Sequence, residues 1–183
     1  MSVKLSLLAL LAEAPRYGYE LKAEFERRTG DTWPLNVGQV YTTLDRLTRD
    51  GLVIPSEQDD AGHLYYALTD AGRDAVAGWW AAPVEPATPP RDELAIKLAL
   101  AVTAPNVDVE GVLSAQRAAT LRAMQALNGR KRRTADLSER LVVESLLFAA
   151  EAQVRWLDHC ERVLTLTPST PGTPGTPEIG VRP

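Results

Sequence analysis

Val37-Gly38-Gln39-Val40-Tyr41-Thr42-Thr43-Leu44-Asp45-Arg46-Leu47-Thr48-Arg49-Asp50-Gly51 is the stretch on which the fold turns. Val37, Val40, Leu44 and Leu47 recur at steps of three, four and three, the spacing of a narrow apolar stripe along an α-helix. The opposite side carries Gln39, Thr42, Thr43, Arg46 and Arg49, which are hydrogen-bonding groups and cations with nothing to bury. Gly51 follows Asp50 at the place where a helix C-terminus commonly needs left-handed backbone. These spacings predict a helix from Val37 or Gly38 to Asp50, apolar on one side and able to hydrogen-bond on the other.

Upstream, Val3 to Leu11 reads as a helix stopped near Pro15, because the residue before a proline avoids helical backbone. A second helix runs from Gly18 to Arg28, with Tyr17, Leu21 and Phe25 on one face and Gly30 as terminator. Downstream, Leu52-Val53-Ile54 starts a strand, Asp59-Asp60-Ala61-Gly62 is rich in turn residues, and His63 to Leu68 returns. Leu64, Tyr66 and Leu68 alternate as a half-buried strand requires. Thr69 can cap a fourth helix from Asp70 to about Ala82. Three helices, a hairpin and a helix in about 80 residues make a winged helix-turn-helix domain. Its third helix is the one shaped for the DNA major groove, and its hairpin is the wing.

Beyond Ala82 the pattern changes. Pro83 to Pro90 holds four prolines in eight residues, a stiff linker and domain boundary. Asp92 to Val102 is apolar on nearly all sides, which predicts burial on nearly all sides. Asn106 can cap a helix reaching about Leu127, broken by Asn128-Gly129, with Arg130-Lys131-Arg132-Arg133 in the connection. A last helix covers Ala135 to Leu166. Leu137, Leu141 and Phe148 on it, together with Val143, Leu146 and Leu157, form more than one apolar stripe. One stripe serves the chain's own domain and a second points to a partner, for which a two-fold homodimer is the commonest solution. The tail from Pro168 repeats Thr-Pro-Gly, has almost nothing to bury and is expected to be disordered. The expected organisation is residues 1–82 as DNA-binding domain, 83–90 as linker, 91–167 as helical dimerisation domain and 168–183 as tail. The fold class is mainly α with a small β-hairpin.

Composition narrows the function. The 183 residues are 45% hydrophobic and 24% charged, ordinary for a globular protein. A net charge of −4 argues against nucleic-acid binding through bulk charge, but leaves open a dimer that gathers its cations on one face. Leu5 to Leu11 after Lys4 faintly imitates a signal peptide, but Glu13 and Pro15 follow with no convincing cleavage site. No apolar run is long enough to span a membrane, so the expected location is cytoplasmic. One cysteine, Cys160, excludes an intrachain disulfide and is expected to be buried and inert. His63 and His159 lie far apart, and His159 with Asp158 and Glu161 is no recognised metal spacing. No catalytic residues, metal or cofactor are therefore expected, and an enzyme acting through His159 or Cys160 is a remote rival.

Tyr17-Gly18-Tyr19-Glu20-Leu21, then Gly38 to Leu47, then Asp50-Gly51-Leu52-Val53, then Tyr65-Tyr66-Ala67-Leu68-Thr69-Asp70-Ala71-Gly72-Arg73 follow in an order and spacing that closely resemble the PadR family of transcriptional regulators. Asp92-Glu93-Leu94-Ala95-Ile96-Lys97-Leu98 and Trp156-Leu157-Asp158 resemble that family's C-terminal region, of the type shared with the virulence regulator AphA. The likeness covers about residues 3–165 and is closest up to 75. It implies a dimeric repressor with a large contact between C-terminal helices, in many members responsive to small aromatic or drug-like molecules. The chain departs from the pattern in two places. Tyr17 stands where histidine is frequent, and the usually basic wing carries Glu57, Asp59 and Asp60, with His63 as its main potential cation.

The DNA-contact candidates are Gln39, Tyr41, Thr42, Thr43, Arg46, Arg49 and His63, with Lys22 and Arg16 as weaker ones from the second helix and its approach. Gln39 can pair with adenine, and Thr42 or Thr43 can meet a thymine methyl or a phosphate. Tyr41 has an equal alternative in packing under the wing; for Arg46, one turn after Thr42 on the same face, phosphate contact is the better reading and pairing with a local acid the lesser one. His63 is either a wing contact or a plain turn residue, and Arg130 to Arg133 reads better as a solvated connection than as a nucleic-acid site. Trp79, Trp80 and Trp156 can stack on a flat effector, though such residues are more often core or interface. The partners expected are operator DNA, a second copy and a small aromatic effector. A winged helix kept as a protein-interaction module is the rival from another class.

Overall fold

The computed structural model describes residues 3–84 and 92–166. The N-terminal elements are α1 (Val3–Leu11), β1 (Arg16–Tyr17), α2 (Gly18–Thr29), α3 (Val37–Arg49), β2 (Val53–Gln58), β3 (Leu64–Leu68) and α4 (Asp70–Ala81). Val40, Leu44 and Leu47 of α3 are fully buried with Leu7 and Leu8 of α1, Leu21 of α2 and Val53 of β2. Each such side chain contributes about 1.5–3 kcal/mol relative to exposure, so the apolar stripe of α3 fixes which face turns outward. The Asn36 side chain starts α3 by accepting from the Gly38 N–H at 2.8 Å, and Gly51, at φ 71, ends it. Thr69 locks the wing's exit to that end. Its hydroxyl donates to the Gly51 carbonyl at 2.8 Å and accepts from the Gly72 N–H at 3.0 Å.

The sheet is antiparallel in the order β1-β3-β2, with Val53 opposite Leu68 and Pro55 opposite Tyr66. The third strand, β1, is a finding beyond the predicted hairpin. Two residues are too short for alternation to reveal, and Tyr17, expected on the second helix, lies in β1 opposite Tyr65 instead.

The C-terminal elements are α5 (Glu93–Ala101), α6 (Val109–Lys131) and α7 (Leu137–Leu166). Helices α6 and α7 run antiparallel, joined by Arg117 to Asp158 and Glu161, Thr120 to Gln153, and Lys131 to Glu144. Leu98, Leu113 and Leu157 form a second, smaller core.

Several expectations change here. The cap of α6 is Asp108, which accepts from the Gly111 N–H at 2.8 Å, while Asn106 sits in left-handed backbone at φ 62. The helix then runs through Asn128-Gly129 to Lys131. A mid-helix glycine costs only about 1 kcal/mol, and ion pairs of Arg130 with Glu139 and Lys131 with Glu144 hold the last turn. The last helix begins at Leu137, with Asp136 accepting from the Ser138 and Glu139 N–H groups. Most informative is α5. Leu98 and Ala101 are buried, but Ile96 is 45% exposed and Leu100 64%. Cys160 is half-buried rather than fully buried. Pro83 is described, but the rest of the proline-rich linker from residue 85 and the tail from Pro168 lie outside the described residues. No described helix is long and apolar enough to cross a membrane.

Candidate nucleic-acid interface

Helix α3 offers an open face because its other face is committed to the core. Gln39, Tyr41, Thr42 and Arg46 are exposed and Thr43 is half-buried. The threonine hydroxyls have local duties: Thr42 Oγ1 donates to the Gly38 carbonyl at 2.9 Å and Thr43 Oγ1 to the Gln39 carbonyl at 2.7 Å. With the proton used inside the helix, each presents outward a methyl group and acceptor lone pairs. That suits contact with a thymine methyl better than donation to a phosphate.

The arginines differ in availability. Arg49 is paired with Asp50, which also accepts from Lys4 at 3.0 Å. Lys4 and Arg49 together hold the Asp50 carboxyl below its usual range. Among the described residues, no ion pair or side-chain hydrogen bond occupies the Arg46 guanidinium. Lys22 pairs with Glu26, whose other oxygen accepts from the Leu35 N–H at 2.9 Å. Lys22 therefore braces the connection between α2 and α3. Arg16 is engaged by Glu13 and Glu20.

Tyr41 packs its ring over Gly18, where a Cβ would sit 2.6 Å from the ring carbons, and leaves 40% of the residue exposed. Gly18 is thus needed for close approach, and the outer edge of Tyr41 stays accessible. Tyr19, on the first turn of α2, is also exposed and was not among the sequence candidates. It falls off the stripe set by Leu21 and Phe25, and that polar-face position was the signal available.

His63 is pinned on the wing. Its ring stacks on Tyr17 at 4.4 Å between centroids, its Nδ1 meets Asp59 at 2.9 Å, and its N–H donates to Asp59. The His63 backbone N–H, then its ring, holds the Asp59 carboxyl below its ordinary range. Tyr17 is thereby the platform for the wing's histidine. Around it the wing remains acidic, with Glu57, Asp59 and Asp60 exposed.

The three tryptophans that are effector candidates do not meet within one chain. Trp79 and Trp80, 4.5 Å apart on α4, border a recess of about 240 Å³ with Phe25 and Arg28. Trp156 lines a separate apolar groove of about 350 Å³ between α5 and α7, beside His159 and Cys160. Arg130 is no solvated connection, since it bonds to Glu139, to Thr29 at the end of α2 and to Thr32 beyond it.

Residues 7–78 match the family described as "Transcriptional regulator PadR-like family", and residues 90–165 match "Virulence activator alpha C-term". A probable transcriptional regulator of Mycobacterium tuberculosis is 27% identical over 185 residues, covering 90% of this chain and 98% of that protein. Two crystal structures of Bacillus subtilis PadR share the fold. The complex with operator DNA has a TM-score of 0.68 at 20% identity, covering 91% of this chain and 99% of that one. The complex with p-coumaric acid has a TM-score of 0.70 at 21% identity, covering 91% and 98%. The Vibrio cholerae virulence activator AphA has a TM-score of 0.65 at 22% identity, covering 89% and 98%.

Proposed function

The chain belongs to the PadR-like family of transcriptional regulators, with a C-terminal region of virulence-activator type, and from that premise we propose that it is a homodimeric repressor whose α3 helices read a pseudo-palindromic operator. The observation that carries the proposal is the division of α3. Val40, Leu44 and Leu47 are fully buried, which leaves Gln39, Thr42 and Arg46 on an outward face. Gln39 pairs with a base edge, the methyl groups of Thr42 and Thr43 meet thymine, and Arg46 meets a phosphate. Tyr41 adds its exposed edge to this face, His63 contacts the DNA backbone or minor groove from the wing, and Lys22 acts through the α2–α3 connection.

Residues 1–82 serve as reading head and 91–167 as dimerisation unit. The exposed apolar side chains of Ile96, Leu100, Leu141 and Phe148 are covered by a second copy. Two heads then enter successive major grooves about 34–36 Å apart. A small aromatic effector, in the manner of the p-coumaric acid bound by PadR, stacks on Trp156 or on Trp79 and Trp80. It favours a dimer geometry with the wrong head separation, and DNA is released.

Fluorescence anisotropy with the DNA upstream of the protein's own gene, against scrambled competitor at fixed salt, tests the operator reading. Competitor-resistant binding is expected, and replacing Gln39 and Thr42 by alanine should lower it while leaving the dimer intact. Unchanged affinity of that variant would remove α3 as the reading element. The acidic wing favours a second reading, a protein-interaction module, and a salt titration separates the two. DNA binding weakens linearly on log–log axes, whereas a mainly apolar protein interface responds little.

A further inference from the structure

Arg130, in the last turn of α6, reaches out of the C-terminal helices to the reading head. Its Nη1 donates to Thr32 Oγ1 at 3.1 Å, and its Nη2 donates to the carbonyls of Gly30 and Thr29. Its Nε donates to Glu139 Oε1 at 3.0 Å, and Glu139 accepts in turn from the Thr134 hydroxyl. Beside this group Arg27 Nη1 donates to Asp136 Oδ2 at 2.8 Å. The residues gripped on the head are the end of α2 and the start of the connection to α3.

The chemistry suits the grip. The last carbonyls of a helix lack intrahelical donors and carry the negative end of its dipole, and a guanidinium offers a planar fork of donors to them. Gly30, in left-handed backbone at φ 56, leaves the room, because a Cβ there would run into the Arg130 and Glu139 side chains. The connection beyond is stiff. Leu35 is buried and its N–H is held by Glu26, which anchors the connection just before α3 begins.

We infer that Arg130, oriented by Glu139, is a positioning residue for operator recognition. It holds the α2–α3 connection against the dimer helices and so sets the half-site separation that the dimer accepts. The inference rests on the operator reading above. Two linked heads bind together only if their separation matches the DNA, so a fixed joint gives a sharp preference and a loose one a broad preference.

The test is in vitro selection by the full-length protein from a pool of duplexes. Each duplex carries two randomised half-sites whose separation varies in single base-pair steps. The parent protein is expected to enrich one half-site sequence at one separation. Arg130→Ala is expected to enrich the same half-site over several separations. By anisotropy, its preference for the best separation over the next should fall from about tenfold, the scale of a typical coupling between sites, to within about twofold. Arg130→Lys, which keeps the charge without the fork, should lie between them. If Arg130→Ala does not fold, Thr32→Val carries the same test, since it removes an acceptor of the grip and leaves Arg130 in place. A single unchanged separation for these variants overturns the inference. A parent protein that enriches no sequence overturns the operator reading itself, and the inference with it.

Discussion

Threonine and arginine on the open face of α3 differ in the chemistry they can offer. The Thr42 and Thr43 hydroxyl protons are held by carbonyls one turn back, so these side chains present methyl groups and lone pairs. Among the described residues nothing holds the Arg46 guanidinium in this way, whereas Arg49 is paired with Asp50. Arg46→Ala is therefore expected to weaken binding about equally on specific and scrambled DNA and to reduce the slope of log affinity against log salt by about 1, the mark of one lost phosphate contact. Anisotropy at several salt concentrations measures both. A loss confined to the specific duplex would mean that Arg46 reads a base instead. Polar type and spacing made these residues visible in the sequence. What each can donate was not visible, because it depends on backbone carbonyls that only the helix brings within reach.

At the scale of elements, α2 is held by charge as well as by its buried stripe. Arg27 and then Arg28 bond to Glu24 and lower its carboxyl pKa to about 2. At the start of α7, the Ser138 hydroxyl, the Glu139 N–H and Arg27 lower that of Asp136 to about 2. Both folded values lie below those of the free side chains, so the stabilisation is complete above about pH 4.5 and is lost as pH falls from there towards 2. Glu24→Gln is expected to be less stable than the parent at neutral pH and to lose less on acidification across that window. Denaturant unfolding at a series of pH values measures both. Equal pH slopes for the two proteins would show that Glu24 is not part of this response. Helix α2 itself was legible from Leu21, Phe25 and Gly30, but its link to α7 joins residues about a hundred positions apart, and no local pattern carries that.

At the scale of the whole molecule, one chain leaves apolar surface uncovered. Phe148 is 68% exposed on α7, and Leu141 on the same helix is open as well. Each would contribute on the order of 1.5–3 kcal/mol if buried. Replacing both by aspartate is expected to turn a dimer into a folded monomer in sedimentation velocity and to abolish tight operator binding, because two linked heads become one. A variant that remains dimeric would place the contact on another face. The tryptophans show the same limit from the other side. Trp79 and Trp80 are neighbours in sequence and touch, while Trp156 lies in a different groove, a separation that residue type alone did not reveal.

The sequence by itself determined the four helices and the hairpin of the N-terminal domain and the outward face of α3. Apolar periodicity, the Thr69 cap and the left-handed glycines Gly30 and Gly51 are local signals, and each agrees with its neighbours. Only the tertiary structure decided the rest. The two-residue β1 exists because β3 offers it an edge, and α6 continues past Asn128-Gly129 because α7 supplies acids for Arg130 and Lys131. The fate of Arg130 is decided in the same way. A run of four cations reads as solvated when nothing nearby in sequence can answer it, and the carbonyls that answer Arg130 arrive from a helix about a hundred residues earlier in the chain.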